Sequence, residues 1–64
     1  MKLYKTKQGI VIEKENKFYL VNENWDSFIN DDNLYQKTES ITKSLTPIAN
    51  GKELITTELL SFIF

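Results

Sequence analysis

The side chains that could do chemistry in this sequence are few, because the chain has neither His nor Cys. An active site needs a group that exchanges a proton near neutral pH, or a nucleophile beside a base. Carboxylates, Lys, Tyr and hydroxyl side chains would have to fill those roles here. Ser27 and Ser40 have no evident base near them in the sequence, so a hydrolytic nucleophile is not indicated.

The densest cluster of oxygen ligands is Asp31-Asp32-Asn33, with Asp26 shortly before it. Such a cluster could hold Mg²⁺ or Ca²⁺, but an EF-hand loop also needs alternating ligands, a central Gly and a bidentate Glu. Those are missing, and Asp and Asn are common helix caps. We therefore interpret the cluster as a cap and expect this chain to bind no metal or other cofactor.

A second pair of carboxylates, Glu13 and Glu15, has the spacing of a paired-carboxylate site if one strand carries both. Lys14 and Lys17 lie beside them, however, and this mixture of charges favours a solvated turn. No catalytic residue can be named from the sequence. We predict that the chain by itself is not an enzyme.

The charge composition argues against nucleic acid and membrane partners. Eight basic residues stand against nine acidic ones, and the sequence contains no Arg, whereas anionic partners require a concentrated Lys and Arg patch. Gly9 and Gly51 are isolated and form no phosphate-binding loop. No apolar run approaches the ~20 residues of a membrane span.

The length of 64 residues predicts a single domain, residues 1–64. A domain this small buries only about 60% of the surface of its unfolded chain and is often stabilised by disulfides, a metal or a partner. Without Cys or His, a protein partner or self-association is what remains. The absence of Cys, and of an apolar signal-peptide core near Met1, leads us to expect a cytoplasmic protein.

The first third of the sequence predicts an antiparallel β-meander of three strands, at residues 3–6, 10–13 and 18–21. Gly9 suits the first turn, and Glu15-Asn16 fits a two-residue hairpin loop. The second and third strands contain three or four consecutive apolar residues instead of alternating ones. We therefore expect the second face of the sheet to be covered in part.

One or two short helices are predicted to pack on this sheet, which gives a small α+β fold. Asp26 or Ser27 can cap a short turn, with Trp25 just outside it as a hydrophobic staple. A longer helix is predicted over residues 33–43 and must end before Pro47. Its buried stripe is expected to consist of Leu34, Ile41 and Leu45.

The C-terminal segment fits two structures. Ile55, Leu59 and Phe62 have the spacing of a helical stripe, whereas the Thr pair before them and the terminal apolar run suit a strand. We predict a helix over residues 52–60. Five of the last six residues are apolar, so we expect the tail to be buried somewhere. The candidate interface residues are Trp25, Phe62, Ile63 and Phe64.

Short motifs along the chain carry a family resemblance. They lie at residues 1–6, 9–11, 18–20, 24–30, 33–35 and 45–48, and the strongest runs from Trp25-Asp26-Ser27 to Leu34-Tyr35. Taken in order, to about residue 60, they resemble the N-terminal segment of bacterial fumarylacetoacetate hydrolase family proteins. The resemblance implies a small sheet-containing accessory domain that packs on a larger catalytic domain.

In that family the catalytic domain binds a divalent metal such as Mg²⁺ and acts on diketo-acid substrates by carbon–carbon cleavage, hydration or decarboxylation. Residues 60–64 end this sequence where the family continues into that domain, so the resemblance implies no catalytic or metal-binding residue here. One hypothesis is thus a truncated or fragmentary accessory domain. The alternative is a stand-alone protein-interaction or self-association module, which a tail folded into the chain's own core would favour.

Overall fold

The computed structural model describes residues 1–63. Within them the chain forms four strands and three helices: β1 (Lys2–Thr6), β2 (Gly9–Lys14), β3 (Lys17–Val21), α1 (Trp25–Ile29), α2 (Leu34–Ser44), α3 (Gly51–Thr57) and β4 (Leu59–Ile63). The strands make one antiparallel sheet in the order β3-β2-β1-β4. The α+β class and the three-strand meander are confirmed, and β4 adds a strand that was not predicted.

The two hairpin turns contain Gly9 and Asn16, which tolerate positive φ. Glu15 and Asn16 have φ values of 53° and 66°, as a two-residue loop of the I′ type requires. Gly9 has a φ of 140°, and a side chain at that position would meet the carbonyl oxygen of Val21 at 2.8 Å. These turns align the strands and put three apolar residues in one row, Leu3, Ile12 and Tyr19.

One face of the sheet carries the main core, and we call it the α1–α2 face. Ile10 and Ile12 of β2 point into it, because alternate residues of a strand share a face. They pack with Phe28 of α1, which is fully buried. The partly buried side chains that complete this core are Trp25, Leu34, Ile41 and Ile63.

The opposite face is covered by α3, and we call it the α3 face. Val11 lies between Ile10 and Ile12, so it points away from the main core, yet it is also fully buried. Gly51 at the start of α3 approaches the ring of Phe18 so closely that a Cβ would overlap it. The expectation that both faces are covered, drawn from the consecutive apolar residues, is therefore confirmed.

Helix α2 matches its prediction within one residue at each end, but its buried stripe differs. The fully or nearly buried side chains are Thr38 and Thr42, whose hydroxyls donate to the carbonyl oxygens of Tyr35 and Glu39. Leu45 is 40% exposed, so its predicted burial is wrong. The reason is local: the helix ends at Ser44, and the extended backbone of Leu45 carries its side chain outward.

The helix caps differ from their predictions as well. Asn24 caps α1 by accepting a hydrogen bond from the backbone N–H of Ser27 at 3.0 Å, so the predicted caps Asp26 and Ser27 are wrong. Trp25 is the first residue of α1 instead of lying outside it. Asn33 precedes α2 without a side-chain capping bond, and Asp31 accepts from the Asn33 N–H at 2.8 Å.

The C-terminal segment divides into both structures that its sequence fits. Helix α3 ends at Thr57, where the N–H of Glu58 donates to the carbonyl oxygen of Leu54 at 2.9 Å. The segment then becomes β4, so the predicted helix over residues 52–60 is wrong beyond Thr57. A strand gains main-chain pairing with β1 at this point, and tertiary contacts of this kind outweigh the weak helical pattern.

The folded chain has an accessible surface of 4364 Å² and a mass of 7.5 kDa. This surface is about 60% smaller than that of an unfolded chain of the same mass, as is usual for so short a domain. Among the described residues, no helix has the length and apolar character needed to cross a bilayer. A single lost contact in a core this small should therefore have a measurable cost.

We predict that Gly51→Ala destabilises the fold, although Ala is normally the better helix former by ~1 kcal/mol. The new methyl group would overlap the Cβ and Cγ of Phe18, and overpacking of this kind costs roughly 1–3 kcal/mol. Urea unfolding followed by circular dichroism measures the change, with Ser44→Ala on exposed α2 as the control. A more stable Gly51→Ala variant would show that α3 does not pack on Phe18 in solution.

Candidate interaction surface

The largest exposed apolar side chains of the C-terminal segment lie together along β4. Leu59, Leu60 and Phe62 are 39%, 54% and 62% exposed. Tyr4 of β1 lies directly opposite Phe62, and the centroids of the two rings are 6.4 Å apart. We call these four residues the C-terminal edge surface.

β4 is also an edge of the sheet. It pairs with β1 on one side, and no other strand of the described residues pairs with its other side. Edge strands are usually protected by Lys, Pro or charged side chains, but residues 59–63 contain none of these. A shift of register where β4 passes Lys5 and Thr6 is the one irregularity along it.

The opposite edge of the sheet, at β3, is less open. The N–H of Ile48 donates to the carbonyl oxygen of Phe18 at 2.7 Å, so the segment before α3 pairs briefly with β3. A shallow apolar groove remains between the end of β3 and α2, lined in part by Leu20, Ile41 and Leu45. The uncovered main chain of the sheet is therefore found mainly along β4.

Burial of the C-terminal edge surface would release free energy. Complete burial of a Leu or Phe side chain stabilises a protein by ~1.5–3 kcal/mol relative to full exposure. At Phe62 more than half of that gain is still available, because 62% of the residue is exposed. The surface is thus suited to hydrophobic contact with another protein surface.

Tyr4 contributes its ring to this surface but not a free hydroxyl. Its Oη donates to Oε1 of Glu13 at 2.8 Å across the β1–β2 pair. Desolvation, followed by the hydrogen bond and the negative charge of Glu13, raises the pKa of Tyr4 to about 12. The hydroxyl therefore stays protonated and occupied at neutral pH.

The ion pairs found among residues 1–63 lie around α2, away from the C-terminal edge surface, and help to position this helix. Nζ of Lys14 on β2 is 2.9 Å from Oε1 of Glu39 on α2. That hydrogen bond raises the pKa of Lys14 and lowers the pKa of Glu39. Both groups are solvated, so the pair positions α2 and adds little stability.

Lys37 of α2 makes a second set of contacts on that side. Its Nζ is 3.1 Å from Oε1 of Glu23 and 3.8 Å from Oδ2 of Asp31. It also lies 4.8 Å from the centroid of the buried Phe28 ring, which is cation–π distance. One Asp of the Asp31-Asp32-Asn33 cluster is thereby engaged by a cation of the chain itself.

Among residues 1–63, no three His, Cys, Asp or Glu side chains are close enough together to hold a metal ion. Glu13 is bonded to Tyr4, and Glu15 lies in the β2–β3 turn, so these two carboxylates do not meet across a cleft. Ser27 and Ser40 are both exposed, Ser27 in the first turn of α1 and Ser40 on α2. The strongest candidate site is therefore the apolar C-terminal edge surface.

The four residues named as a candidate interface have different environments. Phe62 is exposed, Ile63 packs partly buried against the main core, and Trp25 does the same from α1. Phe64 lies outside the described residues. The tail is therefore exposed at Phe62 and partly buried at Ile63, so it neither folds wholly into the core nor projects wholly outward.

Sequence reasoning did not place Leu59, Leu60 and Tyr4 at this surface. The two Leu residues were assigned to a helix or to the buried tail. Tyr4 was predicted as part of the first strand, and the register of β1 with β4 brings its ring beside Phe62. The signal that could have located them is the terminal apolar run, which suits a strand. A strand over residues 59–63 would place these side chains at an edge of the sheet.

We predict that one of the three tyrosines ionises near pH 12 and that Tyr4→Phe removes this transition. Absorbance at alkaline pH measures it. Because the pKa is raised in the folded state, the stability linked to Tyr4 is complete below pH ~10 and is lost as the pH rises towards 12. Glu13→Gln removes the negative charge and should lower the pKa of Tyr4, whereas a Tyr4→Phe variant that titrates near pH 12 as the unmodified chain does would contradict the assignment to Tyr4.

Comparison with protein-family models finds no match for this chain, and neither the curated proteins nor the solved structures show a significant similarity to it.

Proposed function

We propose that this chain is a non-catalytic accessory domain that contacts a protein partner through its C-terminal edge surface. The observation that carries the proposal is Phe62, which is 62% exposed beside Leu60 on an uncharged edge strand. Aromatic side chains at the centre of an apolar patch are typical anchors of protein interfaces.

The partner that we propose is the catalytic domain of a fumarylacetoacetate hydrolase family enzyme. This part of the proposal rests on the sequence motifs, above all Trp25-Asp26-Ser27 through Leu34-Tyr35. Residues of these motifs build the fold itself: Phe28 fills the main core, and Leu34 packs against it. Leu3 and Tyr4 of the first motif lie on β1, next to β4. The motifs would thus maintain a small scaffold that presents the edge.

In this proposal the divalent metal and the reaction on a diketo-acid substrate belong to the partner. This chain contributes packing or partial cover of the active site and no catalytic group. A cytoplasmic location is part of the proposal because the sequence contains no Cys.

The test is a binding titration of the purified chain against a bacterial fumarylacetoacetate hydrolase family enzyme from which the N-terminal segment has been removed. We expect binding by the unmodified chain and about tenfold or greater weakening by Phe62→Asp, because a buried unpaired charge is costly. Calorimetry measures both affinities.

Tyr35→Asp provides a matched control, since Tyr35 is an aromatic residue that is 64% exposed on α2, away from β4. It should bind as the unmodified chain does. Equal weakening by both variants would show that the effect is not local to the edge. No binding by the unmodified chain would overturn the proposed partner.

A further inference from the structure

The main chain of Phe62 is directed to the open edge of the sheet. The N–H of Lys7 donates to the carbonyl oxygen of Glu58 at 3.1 Å, so the pair next to it, Thr6 and Leu59, is not itself hydrogen-bonded. The direction of main-chain hydrogen bonding alternates along β1, so Tyr4, like Thr6 two residues away, directs its N–H and C=O to β2. Phe62, opposite Tyr4, therefore has its N–H and C=O on the side away from β1.

From this geometry we propose that the chain forms a symmetric dimer in which two β4 strands pair antiparallel, with Phe62 at the two-fold axis. The N–H of each Phe62 would then donate to the C=O of the other. This inference uses the same surface as the proposed function but does not depend on the proposed partner.

The direction of the main-chain groups in β4 favours this alignment over the neighbouring one. Directly opposed residues of antiparallel strands share a face, and Ser61 and Ile63 share one because they lie opposite Lys5 and Leu3. A two-fold axis at Phe62 puts Ser61 of one copy opposite Ile63 of the other, on that same face. An axis at Ser61 would instead place at the centre a residue whose N–H and C=O are directed to β1, because Ser61 lies opposite Lys5.

A second copy suits this edge better than a charged partner does. Residues 59–63 carry no charge, so two copies meet without repulsion between like charges. Pairing would also bring the exposed rings of the two Phe62 residues together, each beside its own Tyr4. The result is one continuous sheet of eight strands.

The assembly closes at two chains and is weak. Each copy uses its β4 edge once, and the partly covered β3 edges remain on the outside. With the axis at Phe62, the described residues that pair with one another are 61–63, and three residues span only about 10 Å. Two such edges bury well under the ~1,200 Å² of a standard stable interface, so we expect reversible association at high concentration.

Single-cysteine variants test the alignment, because the chain has no Cys of its own. Opposed residues in an antiparallel pair have Cα atoms ~4.5–5.5 Å apart, which a disulfide can bridge. Under mild oxidation we expect Phe62→Cys to form the disulfide dimer about tenfold or more faster than Tyr35→Cys, with Ser61→Cys intermediate and Leu60→Cys slow. Equal rates, or the fastest rate at Leu60 or Ser61, would overturn the alignment.

Sedimentation velocity tests the association without any cysteine. The average mass of the unmodified chain should rise with concentration towards two chains and stop there, while Phe62→Asp stays monomeric and Tyr35→Asp behaves as the unmodified chain. Thermal unfolding of both variants, measured alongside, checks that each is folded. A monomer at every concentration, or growth beyond the dimer, would overturn the proposal. The binding titration with the enzyme partner is read separately, so either proposal can fail alone.

Discussion

The fold depends on β2 being buried on both faces. Ile10 and Ile12 enter one core, and Val11 enters the other, so neither layer of helices can be removed without exposing this strand. A chain of 64 residues has few residues available to cover both faces of this strand. The α1–α2 face receives two helices, whereas the α3 face receives only the seven residues of α3. The incomplete cover at Tyr4 and Phe62 follows from this division.

Much of the architecture could be predicted because it rests on local signals. The Glu15-Asn16 loop needs positive φ at two residues; Asn16 tolerates it by type, and Glu15 adopts it as well. The consecutive apolar residues of β2 predicted two covered faces without indicating what covers them. Helix α2 was predicted from its apolar periodicity and from the proline that follows it, and its ends shifted by one residue each.

The candidate site could not be predicted in the same way, because it depends on contacts between distant parts of the chain. Residues 52–60 fit a helix locally and the terminal apolar run also suits a strand, and pairing with β1 at the other end of the sequence decides for a strand after Glu58. That pairing is also what places Tyr4 beside Phe62. Asn24 was not predicted as the cap of α1 because Asp26 and Ser27 are equally suitable capping residues by type.

β4 connects the stability of the domain to its proposed contacts. Strand alternation makes Ile63 a core residue and Phe62 an exposed one, so the same five residues close the sheet and present its edge. Any partner that binds the paired strand but not the unfolded chain stabilises the fold by mass action. An open apolar edge in so small a domain is therefore consistent with a protein whose native state is completed by association, and its stability should depend on concentration where the association is with itself.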